Sequence, residues 1–296
     1  MYTPIAKKYQ GGKIAFQGHP GAYSQIACSR VFPEMEALPC TSFDDAFAAV
    51  RDGDAQLAMI PIDNSVAGRV ADVHHLLPNS GLHIIGEHYE EIHHHLLAAP
   101  GATLDTIRRV RSHVHAVSQC RKMIRALKLT PLITADTSGA AAEIAALKDP
   151  AEAAIASSLA AEIHGLTSLM TNVEDASYNT TRFLIMATEP MPSPPDDGTA
   201  VTSFIFRVRN VPAALYKAMG GFATNGVNMT KLESYQVGGV FVATQFFAEI
   251  EGHPDSRSVH LAMEELKFFT EELRILGTFT APPFRFANRK AAAINP

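Results

Sequence analysis

Cysteines, basic stripes and long apolar runs are scarce in this chain, and each shortage removes a class of function. The cysteines are Cys28, Cys40 and Cys120, far apart and without a CxxC pair. That spacing argues against a disulfide framework and for a reducing compartment, with the cytoplasm as the expected address. The formal charge is -5 with its signs scattered; without a basic stripe to neutralise phosphates, no nucleic-acid surface is expected. No run of about eighteen apolar residues occurs, and the opening "MYTPIAKKYQGGK" lacks the apolar core of a secretory leader, so no membrane partner is expected. Also missing are the G-x-G-x-x-G of dinucleotide sites and the G-x-S-x-G of a nucleophile elbow. No cysteine has an evident activating partner.

What is present is ample apolar material, 47% of 296 residues, enough for two domains. From Lys13 onward short apolar runs alternate with helical stretches, the pattern of an α/β layer fold. "KIAF" reads as a strand, "QGHPGA" as a turn and "YSQIACSRVF" as a helix. In "TSFDDAFAAVRDG" Ser42 is placed to cap a helix, Asp45 to complete a capping box and Gly53 to stop it. "AQLAMIPI" then reads as a strand ending at "DNSVAGRV", and "VADVHHLLPNSG" as a helix.

Residues 190–199, "PMPSPPDDGT", hold four prolines and two aspartates and mark a linker. Beyond it the order becomes βαββαβ, with a helix expected over "DSRSVHLAMEELKFFTEEL" and a last strand at "RILGTF". Residues 281–296 are expected to form a loosely packed tail.

Several polar groups stand where chemistry is done. Gly18 and Gly21 bracket a strand-to-helix turn whose backbone N–H groups suit an anion, although such turns also need glycine for structural reasons alone. Asp63, Asn64 and Ser65 follow an apolar strand, with Gly68 within a turn; they read either as an Asx-type cap or as the polar lip of a ligand site. Ser112 and His113 follow a strand-like run, and Gln119 ends the next polar stretch. Thr181 and Arg182 stand at the mouth of the apolar run "FLIM", Arg182 as a carboxylate ligand or a structural ion pair. The histidines invite a metal reading, but His74 and His75 point about 100° apart on a helix, and His93 and His95 lack a third ligand at suitable spacing.

Together "GHPGAYS", "PIDNSVAG", "SHVHAVSQC" and "NTTRF" resemble the ordered motifs of the prephenate dehydratase family over residues 12–189. "AALY" and "NMTKLES" within residues 200–280 resemble the phenylalanine-binding positions of an ACT regulatory domain. The resemblance implies a bilobed α/β catalytic domain, similar in arrangement to periplasmic binding proteins, followed by a ferredoxin-like βαββαβ ACT domain. It also implies decarboxylating dehydration of prephenate to phenylpyruvate, with no cofactor or metal, and assembly as a homodimer or homotetramer. Carried over by residue, it makes Thr181 the acid that assists departure of the ring hydroxyl, with Asn64, Ser112 and Gln119 beside it. Gly18, Gly21, Ser24, Asp63, Ser65, Gly68 and Arg182 become substrate contacts. Ala213, Ala214, Leu215, Asn228, Thr230, Glu233 and Ser234 become the effector site.

The chain departs from the family's pattern at Asp63, where glutamate is usual, and at Val114 and His115, where Pro-Gln is usual. In the regulatory half, Ala213 replaces a glycine and Tyr235 and Gln236 replace Arg-Pro, which leaves feedback by phenylalanine open. Arogenate dehydratase is the nearest alternative, being the same chemistry on an aminated substrate. A non-catalytic amino-acid sensor and a metal-dependent ester or lactone hydrolase are the others.

Overall fold

The computed structural model describes residues 2–236 and 243–287, which divide into two compact units. One comprises residues 5–76 and 88–183; the other comprises residues 2–4, 77–87 and 184–287. Among the described residues no helix is long and apolar enough to cross a membrane.

In chain order, α1 (Thr3–Lys8) leads into β1 (Lys13–Gln17), α2 (Tyr23–Val31), β2 (Glu36–Cys40), α3 (Phe43–Arg51) and β3 (Leu57–Asn64). Strand β1 pairs in parallel with both β2 and β3. Buried parallel strands carry unbroken apolar runs because both faces are covered, and Ile14, Ala15, Phe16 and Leu57 to Ile60 are all 0% exposed. Helix α3 starts as its residues dictate: Ser42 Oγ accepts from Asp45 N, the Asp45 carboxylate accepts from Ser42 N, and Gly53 takes a left-handed φ of 86° just past the end.

The chain continues with β4 (Gly68–Arg69), α4 (Ala71–Leu76), β5 (His83–Glu91), β6 (His95–Ala98), β7 (Arg109–His113), α5 (Val114–Gln119) and α6 (Arg121–Ala126). Next come β8 (Thr130–Thr134), α7 (Thr137–Leu147), β9 (Glu152–Ala156), α8 (Ser158–His164), β10 (Thr167–Met170) and β11 (Thr180–Ala187). The first sheet has the order β2-β1-β3-β11-β5 with β4 added to β3, and the second the order β10-β6-β9-β7-β8. In the second sheet, side chains alternate between two apolar layers: Leu96 and Ala98 enter one with Val110 and Ile124, Leu97 enters the other with Ile144.

The unit that ends the chain holds β12 (Ala200–Val208), α9 (Ala214–Thr224), β13 (Met229–Gln236), β14 (Ala243–Glu251), α10 (Arg257–Phe269) and β15 (Thr270–Thr280). Its antiparallel sheet has the order β13-β14-β12-β15. Phe204, Phe206, Phe246 and Ala248 form one core with Ala218, Phe222, Ala262 and Leu266 of the two helices. Residues 237–242, which include part of the sequence "GVFVATQFFAEIE" that reads as a strand, lie outside the described residues.

Three expectations change. Helix α10 stops at Phe269 rather than continuing through Leu273: residues 270–273 join β15, where Thr270 and Glu272 register with Val208 and Arg207. Strand β3 runs on through Asp63 and Asn64, which pair with Arg69 and Gly68 in a hairpin. The described part of the tail is docked. Ala281 is 2% exposed, and the Arg285 guanidinium reaches the Glu87 carboxylate at 2.9 Å, Glu249 at 2.7 Å and Thr230 Oγ1 at 3.1 Å. Residues 288–296 lie outside the described residues.

Candidate active site

Within the unit of residues 5–76 and 88–183, a cavity of about 680 Å³ opens where residues after β1, β3, β7 and β8 meet the start of β11. Alternation along β11 decides which of its side chains take part. Thr181 and Phe183 line the cavity, whereas Arg182, 7% exposed, does not; it lies 3.6 Å from Asp63 in an ion pair.

Asn64 organises the polar wall. Its Oδ1 accepts from the backbone N–H of Val66 at 3.0 Å and of Ala67 at 2.8 Å. Only the oxygen end of the amide can receive these donors, so its orientation follows from the hairpin. Nδ2 then donates to Thr181 Oγ1 at 3.0 Å and to Asn179 Oδ1 at 2.8 Å. Gln119 Nε2 donates to Asn64 Oδ1 at 3.2 Å, and Gln119 Oε1 accepts from Asn179 Nδ2 at 3.0 Å. Because the Thr181 oxygen accepts from Asn64, its own proton is left for a group in the cavity.

Tyr23 and His94 also line the cavity; His94 Nε2 lies 2.9 Å from Gln119 Oε1, and Tyr23 Oη lies 2.7 Å from His94 Nδ1. His94 is 2% exposed, and burial holds its imidazole below the ordinary range, the Gln119 bond opposing that effect. Burial, then Cys120 and Glu174, hold the Tyr23 phenol well above its ordinary range. Across the cavity, the rings of His113 and His115 lie 5.0 Å apart, and His113 Nδ1 accepts from His115 N at 3.3 Å. Burial and His115 lower the His113 pKa, with Asp136 opposing.

Of the residues singled out from sequence, Gly18, Ser24, Asn64, Gly68, Gln119 and Thr181 line the cavity. Gly21, Asp63, Ser65, Ser112 and Arg182 are not among its lining. Ser112 is fully buried and donates to Ile155 O at 2.6 Å, and Ser65 Oγ donates to Tyr178 O at 2.7 Å. Three N–H groups of the glycine turn are engaged within the protein. Gly18 N donates to Cys40 O at 2.9 Å, Gly21 N to Gln25 Oε1 at 2.7 Å and Ala22 N to His19 O at 3.0 Å. Gly21 is needed for its φ of 93° and because a Cβ there would meet Ala160 at 2.7 Å.

His94, Tyr23 and Asn179 also belong to the network, and the sequence singles out none of them individually. Asn179 and Tyr23 lay inside quoted motifs, but nothing in the run "IHHHL" separates His94 from its neighbours. Those neighbours are occupied: His93 Nδ1 meets Glu174 at 3.1 Å and His95 Nδ1 meets Ser168 Oγ at 3.0 Å. Among the described residues no group of three or more His, Cys, Asp and Glu side chains is gathered to hold a metal. Burial raises the Cys28 and Cys120 thiols, which argues against either as a nucleophile.

In the second unit Ala214 and Leu215 pack against the core, while Ala213 precedes α9 in a left-handed conformation, φ 61°. Asn228 O accepts from Glu251 N at 3.0 Å, Glu233 lies 3.6 Å from Lys231, and Ser234 is exposed on β13. Thr230 meets the docked tail.

The family model for prephenate dehydratase matches residues 14–191. A bifunctional N-acyl-homoserine lactone acylase/prephenate dehydratase of Komagataeibacter europaeus is 50% identical over 272 residues, covering 92% of this chain and 97% of that protein. Arogenate dehydratase/prephenate dehydratase 2 of Arabidopsis thaliana is 36% identical over 276 residues, covering 90% of this chain and 72% of that protein. The crystal structure of prephenate dehydratase from Arthrobacter aurescens in complex with L-Phe is similar with a TM-score of 0.83 at 27% identity, covering 95% and 99% of the two chains.

Proposed function

Because the chain belongs to the prephenate dehydratase family, we propose that its cavity converts prephenate to phenylpyruvate, carbon dioxide and water. The carboxyl-bearing C–C bond breaks and its electron pair enters the ring. The ring C–O bond breaks and hydroxide departs with a proton. Aromatisation supplies the driving force, so the protein has to hold the dianion and assist the leaving oxygen. The observation that carries this reading is the orientation of Asn64, which makes Thr181 Oγ1 an acceptor and leaves its proton to donate. A threonine hydroxyl is too weak an acid to ionise freely; it acts as a fixed donor oriented by the neutral amide of Asn64.

We read residues 12–189 as the catalytic domain with its two lobes, 190–199 as linker and 200–280 as an ACT domain through which chains pair as dimers or tetramers. The βαββαβ order supports the ACT reading. The complex of the Arthrobacter protein with L-Phe supports phenylalanine as effector. Arogenate remains the paired alternative, favoured by the Arabidopsis relative. The purified chain should be incubated with each substrate, following phenylpyruvate and phenylalanine separately; turnover of neither ends the dehydratase reading.

A second activity, hydrolysis of N-acyl-homoserine lactones, is favoured by the Komagataeibacter relative. The cavity volume, about 680 Å³, and its apolar lining by Phe43, Val70, Ile92 and Phe183 support it, since such volumes suit drug-sized ligands. Release of free homoserine lactone from an acylated substrate tests it.

A further inference from the structure

The chain of oriented amides behind Thr181 has an origin, and its direction can be followed atom by atom. The backbone of the hairpin fixes Asn64 Oδ1. Gln119 must then present its NH₂ to that oxygen, because its own oxygen there would oppose another oxygen at 3.2 Å. Gln119 Oε1 is left facing His94 Nε2 at 2.9 Å. Two acceptors cannot bond, so that nitrogen carries the proton, and Nδ1 is left as an acceptor for Tyr23 Oη at 2.7 Å.

We propose that His94 is a positioning residue: as the Nε2–H tautomer, with Tyr23 at its Nδ1, it locks the Gln119 amide, which with Asn64 aims the Thr181 hydroxyl proton into the cavity. The role rests on the dehydratase reading, but the tautomer does not. In the opposite tautomer the lone pair on Nε2 would face Gln119 Oε1, and relief by rotating Gln119 would set its oxygen against Asn64 Oδ1. One proton on His94 thus decides whether the whole line of donors points one way. The burial that depresses the imidazole keeps that ring neutral at ordinary pH. The other groups facing it are Glu174, whose carboxylate accepts from His94 N at 2.8 Å, and the neighbouring His93 and His95. Tyr23 Oη also lies 3.0 Å from His93 O, an alternative acceptor to which it turns if His94 takes a second proton.

The test joins spectroscopy to kinetics. In ¹⁵N-histidine-labelled protein, the resonance assigned to His94 by its loss in His94→Gln should show Nε2 protonated and Nδ1 bare. Protonated Nδ1 with bare Nε2 overturns the proposal whatever the enzyme turns over. In the dehydratase assay, His94→Leu should lower kcat by about 10²-fold, the scale of misplacing a reacting group, with KM little changed. His94→Gln, whose amide can still donate to Gln119, should recover most of that loss. Tyr23→Phe should lower kcat by about three- to tenfold, the worth of one hydrogen bond, while Gln119 Oε1 keeps the His94 proton on Nε2. Wild-type kcat in a folded His94→Leu overturns the proposal. If His94→Leu does not fold, an unchanged rate in Tyr23→Phe overturns it equally. A wild-type protein inactive on prephenate and arogenate removes the reading beneath it, while the tautomer measurement still decides the geometry.

Discussion

From Thr181 a polar network runs through Asn64, Asn179, Gln119, His94 and Tyr23, with burial holding the two titratable rings neutral. Around Arg285 the partners are two carboxylates, Glu87 and Glu249, each 0% exposed. The contrast shows two uses of buried polarity. Amides and hydroxyls have distinct donor and acceptor ends, so a network of them stores direction. A guanidinium flanked by carboxylates stores none, but each charge makes removal of its partner costly. Direction suits the aiming of a proton that we propose; charge pairing fastens the described tail to β5 and β14.

Breaking each cluster should therefore damage a different property. The largest effect belongs to Thr181→Ala: turnover should fall by about 10²- to 10⁴-fold, the range for loss of a positioned proton donor, with a melting curve close to wild type. A steady-state assay beside a thermal melt separates the two. Arg285→Ala should do the reverse. Leaving Glu87 and Glu249 without this cation should cost about 3 kcal/mol of stability, read by urea unfolding, while kcat per folded molecule stays near wild type.

Smaller effects sharpen the same contrast. Ala213 holds a left-handed φ of 61°, a conformation that disfavours a Cβ. Ala213→Gly should stabilise by about 0.5 kcal/mol after the added freedom of the unfolded glycine is counted, visible as a slight rise in melting temperature. The smallest effect is on pH dependence. His94 titrates below its ordinary value of 6.5 in the folded chain because of burial, so as pH falls the unfolded chain takes up that proton first. Stability is then lost as pH falls through about 6.5 and levels off below the folded value. His95 and His113 are depressed the same way, so the contribution of His94 is isolated by difference: between about pH 7.5 and 5.5 the melting temperature of His94→Gln should fall less than that of wild type.

Much of this was legible beforehand where local chemistry dominates. The Ser42–Asp45 capping box and the apolar strands at Lys13 and Leu57 depend on residues within a few positions of one another. Asn64, Gln119 and Thr181 were legible through motifs. Less legible was anything set by a distant partner. Residues 270–273 continue the helical pattern of α10 yet become strand because β12 supplies ladder partners. Arg285 looked like part of a loose tail until Glu87 and Glu249 met it.

The amino-acid sequence by itself determined the order of elements, the caps and turns, and which polar residues were available, because propensity and periodicity act over a few neighbouring residues. Only the tertiary structure decided that Thr181 faces the cavity while Arg182 turns away, and that His94 rather than His93 or His95 stands behind Gln119. Those outcomes depend on the pleat of β11 and on contacts between residues far apart in sequence, His94 to Gln119 being 25, Asn64 to Gln119 55 and Asn64 to Thr181 117, whose meeting no local pattern encodes.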